Sequence, residues 1–384
     1  MSDQWKKCLL GNLVELKRGY DLPTSSRTPG DYPIVSSSGV SGTHVEAKVK
    51  APGVVTGRYG TLGQVFYIKE DFWPLNTSLY VRDFKGNHPK FIAYFLGSLG
   101  LASSNAAGAV PGLNRNHLHQ LEVSAPDYVV QEKVAAFLSA YDDLIENNTR
   151  RIEILEEMAR RLYEEWFVHF RFPGHEAVSF KDSELGKIPE GWDVVQLKDI
   201  VNNFDRKRKP LSKKQRSERQ GDYPYYGAAK IFDYIDDYLF DGRYLLLAED
   251  GSVIDKDGYP VLQIANGKFW ANNHTHILQG KHPVSTEFLC LALSRHPISG
   301  YITGAAQPKI TQENMNRIPL IIGALETHAA FDKLIKPMFD MQETLVKKNT
   351  NLRAQRDLLL PKLVSGEIDV SNISLPDDKE VEVA

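Results

Sequence analysis

The sequence predicts an α+β protein: two pseudo-symmetric globular domains of mixed α/β type, separated by two long antiparallel coiled-coil helices. Three observations predict it. The chain repeats itself at low identity, with the order of matches preserved along both halves. Each half opens with short strand-like runs punctuated by Gly, Pro and Asn. Each half closes on a long stretch whose apolar residues fall three and four apart.

The repeat is clearest at Trp73-Pro74-Leu75-Asn76-Thr77-Ser78, which aligns with Trp270-Ala271-Asn272-Asn273-His274-Thr275 at an offset of 197. The same offset carries Phe91 onto Phe288, Leu96 onto Leu293, Pro111 onto Pro308, Leu113 onto Ile310 and Leu121 onto Ile318. Nearer the N-terminus the offset shrinks, as loops of unequal length require. There Asp31-Tyr32-Pro33 matches Asp222-Tyr223-Pro224, and Trp5 and Leu10 match Trp192 and Leu197. Residues 1–130 are expected to form the first globular domain and 191–325 the second, with 173–190 as a linker. Strand candidates are Gly53-Val54-Val55-Thr56, Val65-Phe66-Tyr67-Ile68 and Tyr244-Leu245-Leu246-Leu247, and helix-like stretches follow at 89–99 and 286–293.

The first long helix is expected over residues 131–172. Residues 131–170 hold no Pro or Gly. Leu138, Tyr141, Ile145, Asn148, Ile152, Leu155, Ala159, Leu162 and Trp166 step alternately by three and four, which is a heptad. A single helix of that length needs a partner. The repeat supplies one over 326–368, with Ile335, Met338, Gln342, Leu345, Asn349, Leu352, Arg356, Leu359 and Leu363 on the matching seam. Pro337 should kink or break its first turns. Asn148 and Asn349 lie near the seam midpoint, either to meet and fix register or each to face water. Residues 369–384 read as a loose polar tail.

Hydrophobic residues make up 42% and charged residues 25%, the composition of a soluble globular protein. No apolar run approaches the roughly 18 residues that span a bilayer, and residues 1–10 lack the apolar core of a signal peptide. A membrane partner is therefore not expected. Cys8 and Cys290 lie far apart, which excludes a disulfide framework and fits a reducing cytoplasm.

The net charge of −3, from 46 basic and 49 acidic residues, does not advertise nucleic-acid binding. Such a partner would require local basic patches. The first long helix holds much of the acid, among it Asp142, Asp143, Glu146, Glu156 and Glu157, and leaves the globular segments freer to be basic. Between residues 198 and 230 ten basic residues face four acidic ones. Arg206, Lys207, Arg208, Lys209, Lys213, Lys214 and Arg216 are the backbone-contact candidates there, against a solvated loop as the plain alternative. Base-edge candidates in the first domain are Lys17, Arg18, Arg27, Arg58, Tyr59, Arg115, Asn116 and His117. In the second they are Lys230, Arg243, Lys268, Lys309 and Gln312. Arg and Lys suit guanine, and Asn and Gln suit adenine. Gly57, Gly60 and Gly63 read as a turn that brings Arg58 and Tyr59 forward, or as a tight structural turn. Lys309 and Gln312 correspond to Gly112 and Arg115, so the two domains present different chemistry at equivalent places. That points to two unlike half-sites.

Catalytic patterns are missing from the sequence. It holds no Asn-Pro-Pro-Tyr-like element for amino-group methylation and no Gly-x-x-x-x-Gly-Lys-Ser/Thr loop for ATP. His274 and His276 alternate as two metal ligands on a strand would. No Cys, Asp or Glu cluster accompanies them locally, so a satisfied pair is expected and a metal is not.

Several stretches resemble the specificity subunits of type I restriction-modification systems. The closing run Arg356-Asp357-Leu358-Leu359-Leu360-Pro361-Lys362-Leu363-Val364-Ser365-Gly366-Glu367-Ile368 resembles their final motif. So do Leu162-Tyr163-Glu164-Glu165-Trp166-Phe167, Gly57-Arg58-Tyr59-Gly60-Thr61-Leu62-Gly63, Tyr223-Pro224-Tyr225-Tyr226-Gly227-Ala228 and Leu247-Ala248-Glu249-Asp250-Gly251. The resemblance reaches from Trp5 to about Ile368. It implies two target-recognition domains that each read one half of a split double-stranded DNA site. It also implies two methyltransferase subunits docked on the chain, with motor-nuclease subunits joining through them. On that resemblance the chain is a non-catalytic subunit that binds no cofactor itself. The assembled complex would use S-adenosylmethionine, ATP and Mg2+ for adenine-N6 methylation and ATP-dependent cutting. Two alternatives stay open: the specificity chain of a related methyltransferase/nuclease complex, and a helical scaffold that binds only protein.

Overall fold

The computed structural model describes residues 5–101, 112–304, 307–371 and 373. The match of Pro111 to Pro308 and most of the expected tail lie outside the described residues. The chain divides into two compact units, Met1–Asn147 with Lys348–Ala384, and Asn148–Lys347.

The first unit contains, in chain order, β1 (Lys6–Leu9), α1 (Leu10–Leu13), β2 (Glu15–Arg18), β3 (Tyr32–Ser36), β4 (Gly39–His44), β5 (Gly53–Gly57), β6 (Val65–Ile68), β7 (Trp73–Pro74), β8 (Ser78–Asp83), α2 (Pro89–Ser98), α3 (Arg115–His119), β9 (Glu122–Ala125) and the first part of α4 (Tyr128–Tyr163). An antiparallel sheet runs β2-β8-β5-β6, a smaller sheet runs β4-β3-β7, and β1 pairs with β9. The strand β5 is buried along its whole length. Its alternation sends Val54 into the main core with Leu16, Leu79 and Phe91, and Val55 into a second core with Val35, Phe72 and Tyr80. Burial on both faces explains why it reads as an unbroken apolar run.

The second unit holds the rest of α4, then the hairpin β10 (Phe180–Ser183) and β11 (Gly186–Pro189), β12 (Asp193–Gln196), α5 (Leu197–Ile200), β13 (Val201–Asn203), α6 (Lys213–Ser217), β14 (Gln220–Tyr226), β15 (Ile231–Ile235), β16 (Phe240–Asp241), β17 (Tyr244–Ala248), β18 (Leu262–Ala265), β19 (Lys268–Ala271), β20 (Thr275–Gly280), α7 (Thr286–Ser294), α8 (Gln312–Asn316), β21 (Pro319–Ile322) and the first part of α9 (Leu325–Ser365). Its sheets run β13-β20-β17-β18 and β15-β14-β19-β16, and β12 pairs with β21. This is the plan of the first unit repeated. The repeat extends to register: Ile34 pairs in parallel with Trp73, and Tyr225 in parallel with Trp270.

Each unit packs a segment of α4 antiparallel to a segment of α9. In the first, Leu138 shares a core with Leu359, Leu363 and Val364, Asp142 pairs with Arg356 at 2.7 Å, and Asn349 Nδ2 donates to the Ile145 carbonyl at 3.2 Å. In the second, Trp166 packs on Phe331 with centroids 5.6 Å apart, and Ala159, Tyr163, Ile335 and Phe339 share the same core. Along the seam Ile145, Asn148, Trp166, Leu345 and Asn349 are buried, while Ile152, Leu155, Leu162, Leu352 and Leu359 are half-buried. Trp5 closes the first unit by donating its indole N–H to the Val364 carbonyl at 3.0 Å.

Three expectations are corrected. The helix α9 is continuous through Pro337, so the proline does not break it. The carbonyl that loses its bond there belongs to Lys333, whose side is exposed and leaves that oxygen open to solvent. The stretch expected as a linker carries the β10–β11 hairpin. The tail is held at its start: Val370 is 1% exposed within the first core, and Lys133 donates to the Ser371 carbonyl.

Candidate nucleic-acid interface

Four of the expected DNA contacts converge in one cleft of the first unit, lined by Arg18, Arg58, Tyr59, Leu79, Leu113 and Arg115. Local structure places each of them. Arg18 ends β2 opposite Leu79. Arg58 follows β5; its N–H donates to the Thr77 carbonyl at 2.8 Å, and its own carbonyl accepts from Leu113 N–H at 2.9 Å. Tyr59 bridges to Gly112. A Cβ at Gly112 would stand 2.3 Å from the Tyr59 ring, so glycine is what lets that ring lie down there. The Arg58 guanidinium then rests 4.5 Å from the centre of the Tyr59 ring. Arg115 opens α3, whose N-cap Asn114 accepts from the Asn116 N–H at 2.9 Å.

Carboxylates are scarce around this cleft. Arg18 meets Asp21 at 3.5 Å, with both side chains mostly exposed. Neither Arg58 nor Arg115 has a carboxylate partner among the described residues. The other first-unit candidates are scattered. Lys17 stacks over Tyr20 at 5.4 Å, Arg27 reaches the Leu22 carbonyl, and Asn116 and His117 are exposed on α3.

The second unit puts the opposite chemistry at the same place. Glu249 occupies the position of Arg58: its N–H donates to the His274 carbonyl at 2.9 Å, and its carbonyl accepts from Ile310 N–H at 2.9 Å. Asp250 bridges to Lys309 as Tyr59 bridges to Gly112. Counting on from the Asn203–Leu278 pair, Asp205 falls opposite His276, where Arg18 stands opposite Leu79. Gln312 opens α8 as Arg115 opens α3.

These acids are neutralised from within. Arg208 Nη1 bonds Glu249 at 2.6 Å and the Thr275 carbonyl at 2.7 Å, and Nη2 approaches Asp205 at 3.5 Å. Lys309 reaches the other Glu249 oxygen at 3.1 Å. The ring of His276, 1% exposed, sets Nδ1 at 2.6 Å from Asp205 and Nε2 at 3.1 Å from the Ile310 carbonyl. Burial works against the charge on Asp205, but the His276 bond, the Ile277 N–H and Arg208 outweigh it and hold the carboxyl below its usual range. The ligand atoms of Asp205, Glu249 and His276 lie within 4.8 Å of one another, a spacing that could hold a cation. Both ring nitrogens of His276 already face oxygen acceptors, so this set is a salt-bridged lock rather than an open ligand cage. Local sequence did not reveal it, because its acids come from distant strands. His274 is half-exposed and pairs with Asp250 at 2.7 Å.

Two more candidates take structural places. Arg208, 15% exposed, belongs to the lock just described. Arg243, 17% exposed, bonds Glu287 at 2.6 Å, Asp340 at 2.8 Å and Glu343 at 2.9 Å, and so ties β17 to α7 and α9. Both guanidinium forks are fully engaged, which removes them from the reading surface. Arg216 is partly engaged, stacked 5.1 Å from Tyr225 and paired with Asp233 at 3.3 Å. Arg206, Lys207, Lys209, Lys213, Lys214, Lys230, Lys268 and Gln312 are exposed.

Comparison with known proteins follows the same outline. Residues 2–157 and 189–356 match the family described as type I restriction modification DNA specificity domain. A Methanocaldococcus jannaschii protein named as a type I restriction enzyme specificity subunit is 26% identical over 289 residues, 71% of this chain and 66% of that one. A Haemophilus influenzae protein provisionally named as such a subunit is 35% identical over 153 residues, 39% of each chain. The matched stretches thus span 39% and 66% of these relatives' own lengths. The crystal structure of a type I restriction-modification system S subunit from M. genitalium superposes with a TM-score of 0.66 at 17% identity, covering 97% of this chain and 98% of that one, and so shares the fold. Two copies of the family's domain along most of the sequence place this chain in the type I restriction modification DNA specificity domain family.

Proposed function

We propose that the chain is the non-catalytic DNA-reading subunit of a type I restriction-modification complex, and that its two units read two unlike halves of a split, asymmetric target. One observation carries this reading. The same fold occurs twice, with Arg18, Arg58, Tyr59 and Arg115 in one copy standing where Asp205, Glu249, Asp250 and Gln312 stand in the other. With free guanidinium groups in one copy and internally neutralised acids in the other, the two copies cannot read the same sequence at this place. The exposed Arg206, Lys207, Lys209, Lys213 and Lys214 of the second unit supply phosphate contacts, and Lys230 and Lys268 are exposed in the same unit.

Family membership supports the partners that the resemblance implies. Two methyltransferase subunits dock on the chain and recruit motor-nuclease subunits, and the complex uses S-adenosylmethionine, ATP and Mg2+. The chain works in the cytoplasm; among the described residues no helix is long and apolar enough to cross a membrane. The test is genome-wide mapping of methylated adenines with the chain deleted, restored, or carrying another family member's residues 1–130. Deletion should abolish one motif, and the exchange should rewrite one half of it. A motif that survives deletion, or an exchange that rewrites both halves, overturns the reading.

A further inference from the structure

We propose that the first unit's cleft is a guanine reader built on Arg58 and Arg115, and that the second unit makes no such contact at the equivalent place. This rests on the reading of the chain as a DNA-recognition subunit. Three guanidinium groups converge on one cleft, and among the described residues the only carboxylate paired with any of them is the exposed Asp21, at 3.5 Å from Arg18. Like charges gathered this way repel unless a ligand supplies acceptors. Guanine alone among the bases offers two adjacent acceptors, O6 and N7, on its major-groove edge, and the planar fork of arginine matches them in pairs.

Preorganisation separates base reading from phosphate contact. Arg58 is held at both backbone groups, by Thr77 and Leu113, and its side chain lies on the Tyr59 ring with Nη2 3.3 Å from the phenol oxygen. A fork fixed in this way loses little freedom on meeting a base edge. Leu79 and Leu113 give the cleft wall an apolar part against which a base edge can rest. The exposed lysines of α6 show the contrasting pattern, long side chains of which Lys213 has no ion-pair partner among the described residues and Lys214 only the exposed Glu218 at 4.0 Å, that serves phosphates. In the second unit, Glu249 and Asp205 take the Arg58 and Arg18 positions and are occupied by Arg208, Lys309 and His276. That place has no spare guanidinium to offer, so its half-site is read by other residues.

The experiment maps adenine methylation by the assembled complex carrying wild-type chain, Arg58→Ala, Arg58→Lys, Arg115→Ala or Glu249→Gln. In each Arg58 and Arg115 variant, one guanine position in one half-site should lose about tenfold to hundredfold of its preference, with the other half unchanged. Arg58→Lys keeps the charge without the fork and should relax the same position as Arg58→Ala. Glu249→Gln should leave the bases of the motif unchanged. The proposal is overturned if Arg58→Lys restores the wild-type motif, if methylation falls evenly at all sites, or if the relaxed position is not guanine. A motif that does not depend on the wild-type chain would instead overturn the reading beneath it. Should Arg58→Ala fail to fold, Arg58→Lys and Arg115→Ala decide the matter alone.

Discussion

His328 should make the second unit acid-labile. Its side chain, 1% exposed, sits with ring centroids 4.5 Å from Phe288 and 5.3 Å from Phe167, and neither ring nitrogen has a hydrogen-bond partner. Burial among these rings lowers its pKa from 6.5 to about 4, while Asp332 pulls weakly the other way. The folded state therefore prefers the neutral ring. Above pH 6.5 the ring is neutral in both states and costs nothing to bury as a charge. As pH falls from 6.5 to about 4 the unfolded chain takes up a proton that the folded one refuses, and stability is lost. A shift of that size corresponds to about 3 kcal/mol. The perturbation is His328→Leu, which removes the titrating group and its unsatisfied nitrogens together. At pH 8 the variant should match or exceed wild type by roughly 1 kcal/mol, because an orphaned buried polar group disappears. At pH 4 the gap in its favour should widen by about 3 kcal/mol. Urea unfolding followed by tryptophan fluorescence at half-unit pH steps measures both. Parallel stability curves for the two proteins between pH 6.5 and 4 would refute the reasoning.

Other perturbations test the packing. Arg243→Met should destabilise the second unit by about 3–5 kcal/mol, since it strands the buried Glu287, and Arg208→Met by roughly 1–3 kcal/mol, since Lys309 and His276 still face Glu249 and Asp205; a rise in stability on calorimetry would contradict their structural assignment. Tyr94 in the first unit is pushed up in pKa by burial and by the bond it donates to Asp142. Tyr94→Leu should cost roughly 2–4 kcal/mol as ring and hydrogen bond are lost together, and an unchanged denaturation midpoint would count against it. Gly366 has φ of 77° and lies where a Cβ would meet the Trp5 ring at 2.7 Å. Gly366→Ala should therefore lower stability by at least about 1–2 kcal/mol, which a thermal melt will detect.

The duplication was legible in the sequence because packing preserves it. Trp73 and Trp270 each sit in a parallel strand pair with the same register, so their spacing survives divergence. The heptad was legible for a similar reason: a seam must repeat. The lock in the second unit was not. Glu249 stands 191 from Arg58, the offset of the Asp31–Asp222 match, while His276 stands 197 from Leu79, and no local signal between Pro33 and Trp73 says where the extra residues were gained. His276 finds Asp205 from 71 residues away and Arg243 finds Glu343 from 100, distances at which no periodicity operates. An arginine that faces three carboxylates and one that faces a ligand look alike as letters. Pro337 does not break α9 for a different reason: the helix is held by its packed face, with Phe331, Ile335 and Phe339 buried in the core on either side of the proline.

The two units also differ in how they can be made. Asn148–Lys347 is one unbroken length of polypeptide, whereas Met1–Asn147 is completed only by Lys348–Ala384. Synthesis runs from the N-terminus, so residues 148–347 are all made before Leu363 and Val364. The inner unit can thus begin to fold without those later residues. The outer unit must wait with Leu138 and the socket for Leu363 and Val364 uncovered, since those side chains are made after the whole inner length. Birth order is therefore written into the topology, and the early, incomplete half is the one a chaperone would need to shield.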